Sequence, residues 1–230
     1  MRFNLHCVPV AAAPIREVMA VLIIHLSDLH AHAENNCVIG KWDHLCRAVA
    51  SELHGIDTCI IVFSGDAAFG GKAEQFKEAI MLLQWLQESI KEKSPSIVLA
   101  TISVPGNHDC DLTSEDQNAR VTLRNDIKAD NVPSSVKKYL LKPQENYFLF
   151  SKDLMGTVEH TLSTVTPFYN SVDIKTKDGA HILRFHLVNS AWTSLICETQ
   201  DLRFPLTELR PPATPTADFS VTVIPGRNHI

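Results

Sequence analysis

Three apolar runs in this chain each end in a short polar motif, and that arrangement restricts the possible folds more than any other feature. Val21-Leu22-Ile23-Ile24-His25-Leu26 leads into Ser27-Asp28-Leu29-His30. Cys59-Ile60-Ile61-Val62-Phe63 leads into Ser64-Gly65-Asp66. Ile97-Val98-Leu99-Ala100-Thr101-Ile102-Ser103-Val104 leads into Pro105-Gly106-Asn107-His108-Asp109. Unbroken apolar runs, unlike alternating ones, read as strands buried on both faces. Carboxylate, imidazole and amide groups therefore gather where three predicted strands end. In open α/β sheets, ligands bind just outside the carboxyl ends of the strands.

The segments between these strands read as helices. Trp42, Leu45, Val49 and Leu53 form one apolar stripe over residues 41–54, and Gly55 suits the position just past a helix end. Gly65 permits a sharp turn after the second strand, at 58–64, and Asp66 projects at its tip. Gly70-Gly71 precedes a second helix, 72–93, with the stripe Phe76, Ala79, Leu83, Leu86 and Ile90. Ser94-Pro95 stops it. The order β-α-β-α-β implies parallel strands. His25, inside the first strand, reads as a packed core histidine.

Residues 110–165 are polar and helix-compatible, punctuated by Pro133 and Pro143. They read as a helical insertion that packs over the sheet edge or caps the site, anchored by Tyr147, Phe148 and Phe150. Residues 167–175 and 180–190 predict an antiparallel pair joined through Thr176-Lys177-Asp178-Gly179. His181 and His186 within it read as structural or surface histidines. A proline-rich loop at 199–217 precedes one more strand, Phe219 to Ile224. Residues 1–18 read as an extension with little role in the fold, so that the domain runs from 19 to 230.

The length fits one domain, with or without an insertion. A net charge of −5 gives no electrostatic case for nonspecific binding to nucleic acid or to an anionic membrane. Phosphate substrates stay open, because a bound metal supplies local positive charge. The six cysteines lack C-x-x-C spacing, and reduced thiols in a cytoplasmic protein are expected. No run approaches the ~18 apolar residues of a membrane span. Asn4, His6 and Pro9 interrupt what would otherwise be a signal-peptide core.

Asp28 and His30, two residues apart in the turn after a strand, can both reach one metal ion. Carboxylate plus imidazole suits Mn, Fe, Zn, Ni or Co better than Ca. Asp66 has two oxygens and can bridge two ions about 3.5–4 Å apart. Asn107 offers a neutral carbonyl oxygen to the second ion without adding negative charge. His108, next in sequence, can stabilise phosphoryl oxygens or protonate a leaving group. Asp109 can orient that imidazole or cap the following helix. The gaps from Asp28 to Asp66 and from Asp66 to Asn107 each have room for one helix and one strand.

Asp28-Leu29-His30, Gly65-Asp66 and Gly106-Asn107-His108-Asp109 resemble the calcineurin-like metallophosphoesterase superfamily. The stretch Ser64 to Lys72, with Gln75-Phe76, is similar to a bacterial subgroup that has a helical insertion and often stands at the front of longer multidomain proteins. The similarity covers roughly residues 20–110, and more weakly Leu187 to Ala191 and Phe219 to Ile224. The resemblance implies a four-layer α/β/β/α sandwich and a dinuclear metal centre. It further implies hydrolysis of phosphomono- or phosphodiesters by a metal-bound hydroxide. On this reading Asp28 and His30 bind the first ion, Asp66 bridges, Asn107 binds the second, and His108 assists at the phosphate.

The resemblance also implies a histidine after a later strand and a Gly-His-x-His motif. Here Phe219 to Ile224 is followed by Pro225-Gly226-Arg227, and His229 is the histidine left beyond it. The abrupt loss of pattern reads as truncation or a frameshift, with weak metal affinity and low turnover expected. The alternative function is a degenerate, non-catalytic phosphoesterase-like module or a nonfunctional fragment. A metal-free nucleotide-binding domain is disfavoured, since no strand is followed by G-x-G-x-x-G or G-x-x-x-x-G-K-[ST].

Overall fold

The computed structural model describes residues 2–10, 19–32, 39–113, 115–127, 132–155, 161–196, 206–208 and 217–225. Strands β1 (Arg2–Val10) and β2 (Met19–Ser27) come first, then helix α1 (Ile39–Glu52), β3 (Ile56–Ser64), α2 (Ala73–Lys93) and β4 (Val98–Val104). Next are α3 (Gln117–Asn125), α4 (Ser134–Leu141) and α5 (Glu145–Met155). Strands β5 (Thr161–Val165), β6 (Tyr169–Lys175), β7 (Ile182–Val188) and β8 (Phe219–Val223) complete the order.

There are two four-stranded sheets, ordered β1-β2-β3-β4 and β5-β6-β7-β8. Strands β2, β3 and β4 run parallel, as the β-α-β-α-β pattern predicts. β6 and β7 form the expected antiparallel pair, and β8 joins β7 in parallel.

The apolar runs are unbroken because both faces of the first sheet are covered. Cys59, Ile61 and Phe63 of β3 face Trp42, Val49, Leu83 and Leu86 of the helices in one cluster. Their neighbours Ile60 and Val62 face Val172, Ile174, Leu183 and Phe185 of the second sheet. The period-two alternation of a strand is thus hidden by two apolar surroundings. Every stripe residue expected on α1 and α2 is buried. The packing clusters of the described residues define three of the expected four layers: helices, first sheet, second sheet. The result is a mixed α/β sandwich.

Two expectations need correction. Residues 2–10 are not a bystander extension, because β1 pairs antiparallel with β2 along its whole length. Backbone pairing at an otherwise open edge accounts for this, and Pro9 is tolerated because an edge strand can spare a donor; residues 11–18 lie outside the described residues. The helical insertion does not extend through 110–165. Residues 161–165 are strand β5, paired with β6. Helix α5 belongs to the main helical layer: Tyr147, Phe150 and Leu154 are buried in the same cluster as α1 and α2, with Phe148 packed against it. The apolar face of α5 must be covered, and the first sheet covers it.

The remaining histidine expectations hold as structural roles. His25 is half-buried, with Nε2 2.7 Å from Ser64 Oγ. His186 Nδ1 lies 2.5 Å from Tyr169 Oη. His181 Nδ1 is 3.6 Å from Asp218 Oδ1. Cys46, Cys59 and Cys110 are buried free thiols. The predicted loop 199–217 lies mostly outside the described residues, as do 226–230 with His229. No helix among the described residues is long and apolar enough to cross a membrane.

Helices α3 and α4 close a smaller cluster around Trp192 and Phe168, whose rings meet edge to face at 5.2 Å. The wholly buried Arg120 of α3 ties this cluster together. It donates to the carbonyls of Ser194 (2.7 Å), Leu140 (3.0 Å) and Trp192 (3.0 Å). Removing it strands three buried acceptors and leaves a cavity. Arg120→Ala is therefore expected to lower unfolding free energy by about 3 kcal/mol in urea titrations. A loss below about 0.5 kcal/mol, the range of an ordinary surface change, would contradict this role.

Candidate metal centre

The motifs after β2, β3 and β4 meet at one end of the first sheet. The first two continue their strand pairing past the strand ends. Asp28 N donates to Gly65 O (3.2 Å), His30 N to Asp66 O (2.9 Å) and Ala31 N to Ala67 O (2.9 Å). Phe69 N returns a bond to Ala31 O at 3.2 Å.

This pairing coincides with unusual backbone geometry. Asp28, His30 and Asp66 have φ of 58°, 48° and 59°, and no other non-glycine residue among those described has positive φ. Each such residue costs on the order of 1 kcal/mol, so the surrounding structure must enforce it. These are three of the four residues that the family resemblance marks as metal ligands.

Asp109 supplies much of that enforcement. Its wholly buried carboxylate accepts from Asp66 N (2.9 Å), Ala68 N (2.8 Å) and Gly106 N (2.8 Å). It thereby joins the turn after β3 to the turn after β4. Burial first, then the Asp66 charge, push its carboxyl above the ordinary carboxylate range, while the three N–H donors pull the other way. Neither expected role for Asp109, orienting His108 or capping the following helix, is the one it plays. That imidazole is instead held by a main-chain carbonyl, with His108 Nδ1 donating to Phe69 O at 2.8 Å. A carbonyl only accepts, so Nδ1 carries the proton and Nε2 keeps its lone pair in the neutral ring.

One ligand atom each from His30, Asp66 and His108 lie within 4.8 Å of one another. The His30 and His108 rings stand edge to face at 4.6 Å. Asp66 is almost fully buried, and its Oδ1 accepts from His108 N at 3.0 Å. Asp28 is not one of this triad; its Oδ1 is 3.9 Å from His30 Nε2, and its Oδ2 accepts from Ser27 Oγ at 2.5 Å. Asn107 begins the 3₁₀ turn Asn107–Asp109, next to His108.

The residues fit a divalent cation. His30 Nδ1 is buried and has no hydrogen-bond partner among the described residues. Burial, and then the neighbouring His108, lower the His30 pKa below the ordinary value, against the pull of Asp28. The ring is therefore neutral at pH 7, the form that binds metal. A cation here would also offset the repulsion between the Asp66 and Asp109 carboxylates.

Sequence reasoning missed two residues at this centre, Phe69 and His32. Their rings lie 4.0 Å apart, and Phe69 stands 5.6 Å from the His108 ring and 6.1 Å from that of His30. The alternation Asp28-x-His30-x-His32 was the available signal for His32; the carbonyl of Phe69 left none.

Close approach explains Gly106. A Cβ on Gly106 would overlap Asp66, with its Cγ at 2.7 Å and its N at 2.5 Å. Gly55, by contrast, has a positive φ, 74°, and faces open space. Gly106→Ala is expected to cost about 2 kcal/mol or more in urea unfolding and to weaken Mn²⁺ binding at least about tenfold. Gly55→Ala should cost only about 1 kcal/mol and leave Mn²⁺ binding unchanged. Equal effects of the two on binding would contradict the assigned packing of Gly106 on Asp66.

No curated protein matches the chain at a significant level. Residues 21–195 match the family described as calcineurin-like phosphoesterase, whose members are generally hydrolases of phosphoesters that bind divalent metals. That match runs from β2 through β7 and takes in the three motif-bearing turns, and the chain belongs to the calcineurin-like phosphoesterase family.

Proposed function

We propose that the chain is a metal-dependent phosphoesterase with a dinuclear centre at the ends of β2, β3 and β4. The observation that carries this reading is the convergence of His30, Asp66 and His108 ligand atoms within 4.8 Å, with His30 and Asp66 held in left-handed backbone geometry. Asp28 and His30 are assigned to the first ion, Asp66 to both, and Asn107 to the second.

Held by these residues, divalent ions would supply Lewis-acid stabilisation of phosphoryl charge and lower the pKa of a bound water. The chain's own residues do the rest. Asp66 is fixed through its main-chain N–H to Asp109 and through Oδ1 to His108 N, so it is oriented before any ion arrives. His108 keeps Nε2 free, because Phe69 O engages Nδ1. In the neutral ring this nitrogen can take a proton; in the protonated ring it can donate to a phosphoryl oxygen or the leaving group. Asn107 places an uncharged ligand where another carboxylate would repel the phosphate.

A chromogenic phosphodiester, assayed with and without Mn²⁺, tests this reading alongside a count of ions per chain. Hydrolysis should require added metal and stop with a chelator. Asp66→Asn should lower both ion binding and turnover at least about tenfold. Metal-independent hydrolysis, or an Asp66→Asn variant as active as the parent, would defeat the assignment. Bound ions without turnover would favour the alternative of a non-catalytic phosphoesterase-like module.

A further inference from the structure

Phe69 stands out among the residues of the centre because its side chain has no structural duty. Its main-chain carbonyl holds His108 and its N–H pairs with Ala31 O, and both contacts are available to any residue. The phenyl ring belongs to none of the hydrophobic clusters and is 47% exposed. Its surroundings are imidazoles: His32 at 4.0 Å, His108 at 5.6 Å and His30 at 6.1 Å between ring centroids. An aromatic ring left half in water, beside a group of cation ligands, is a surface on which another flat ring gains by stacking. The Phe69 ring stands beside His30 and His108, two of the three residues whose ligand atoms converge, so a ring carried by a phosphoester held there comes within its reach.

We propose that Phe69 is a specificity-determining platform that selects phosphoesters whose organic group carries a flat aromatic ring. The proposal rests on the phosphoesterase reading above, since it needs a phosphate seated at the metal centre. Two sources share this chemistry, a nucleotide base and an aryl group bonded directly to the ester oxygen. Small alkyl phosphates offer nothing to stack and gain nothing from the ring.

Binding is the readout, so turnover is not required. The Mn²⁺-loaded chain is titrated calorimetrically with inorganic phosphate, methyl phosphate, phenyl phosphate and adenosine monophosphate. The same ligands are tested on Phe69→Ala and Phe69→Tyr, both checked for unchanged thermal unfolding. At least one aromatic ligand should bind about tenfold more tightly than methyl phosphate, within the range of single-ring stacking. Phe69→Ala should erase that preference while leaving inorganic phosphate affinity unchanged; Phe69→Tyr should keep it. Preference for adenosine monophosphate alone identifies a nucleotide, and preference for phenyl phosphate alone identifies an aryl ester. An aromatic preference that is missing in the parent, or that survives in Phe69→Ala, overturns the platform while inorganic phosphate binding still upholds the site. Failure to bind any of the four, inorganic phosphate included, overturns both.

Discussion

The centre depends on one buried carboxylate. Asp109 takes hydrogen bonds from Asp66, Ala68 and Gly106, three main-chain N–H groups in two different strand-end turns. Those groups would otherwise be orphaned in the interior, where each lost bond costs roughly 1–3 kcal/mol. The bonds pull the turn after β4 against the turn after β3 closely enough that only glycine fits at 106. They also hold Asp66 in its left-handed conformation, and His30 is then paired to Asp66 O. Backbone strain at the ligands is thereby offset by a group that need not touch metal or substrate.

The sheet explains why the chemistry sits where it does. β3 is buried on both faces, by helices on one side and by the second sheet on the other. A carboxylate or imidazole in the middle of its span would have to be desolvated, at a far higher cost than a hydroxyl. The exposed route for carboxylates and imidazoles lies beyond the last apolar residue, and parallel strands bring those ends together. The overall charge of −5 does not oppose a phosphate-binding role, because the local sign at such a centre is set by the cation it holds.

Much of this was legible in the sequence because it is local. Stripe residues such as Trp42, Val49, Leu83 and Leu86 follow helical spacing, and each is buried as that spacing requires. Asp28, His30 and Asp66 were marked by residue type and by position after an apolar run. What escaped was decided by contacts distant in sequence. Asp109 sits beside His108 in the chain, which suggested a partnership, but its partners come from residues 66 and 68 as well as 106. The carbonyl that orients His108 belongs to Phe69, and main-chain groups have no sequence signature. β1 was overlooked because Asn4, His6 and Pro9 break its apolar content, although an edge strand needs only backbone pairing. α5 was taken for part of an insertion because the segments before it are polar; its own buried residues, Tyr147, Phe150 and Leu154, place it in the main core.

The most direct test of the central claim is anomalous X-ray scattering from crystals of the chain grown with Mn²⁺. Ions are expected within coordinating distance of Asp28, His30, Asp66 and Asn107, with the His108 imidazole beside them, on turns with φ already positive at Asp28, His30 and Asp66. Anomalous density elsewhere, or none at this end of the sheet at millimolar Mn²⁺, would contradict the assignment of these three turns as a preformed metal centre.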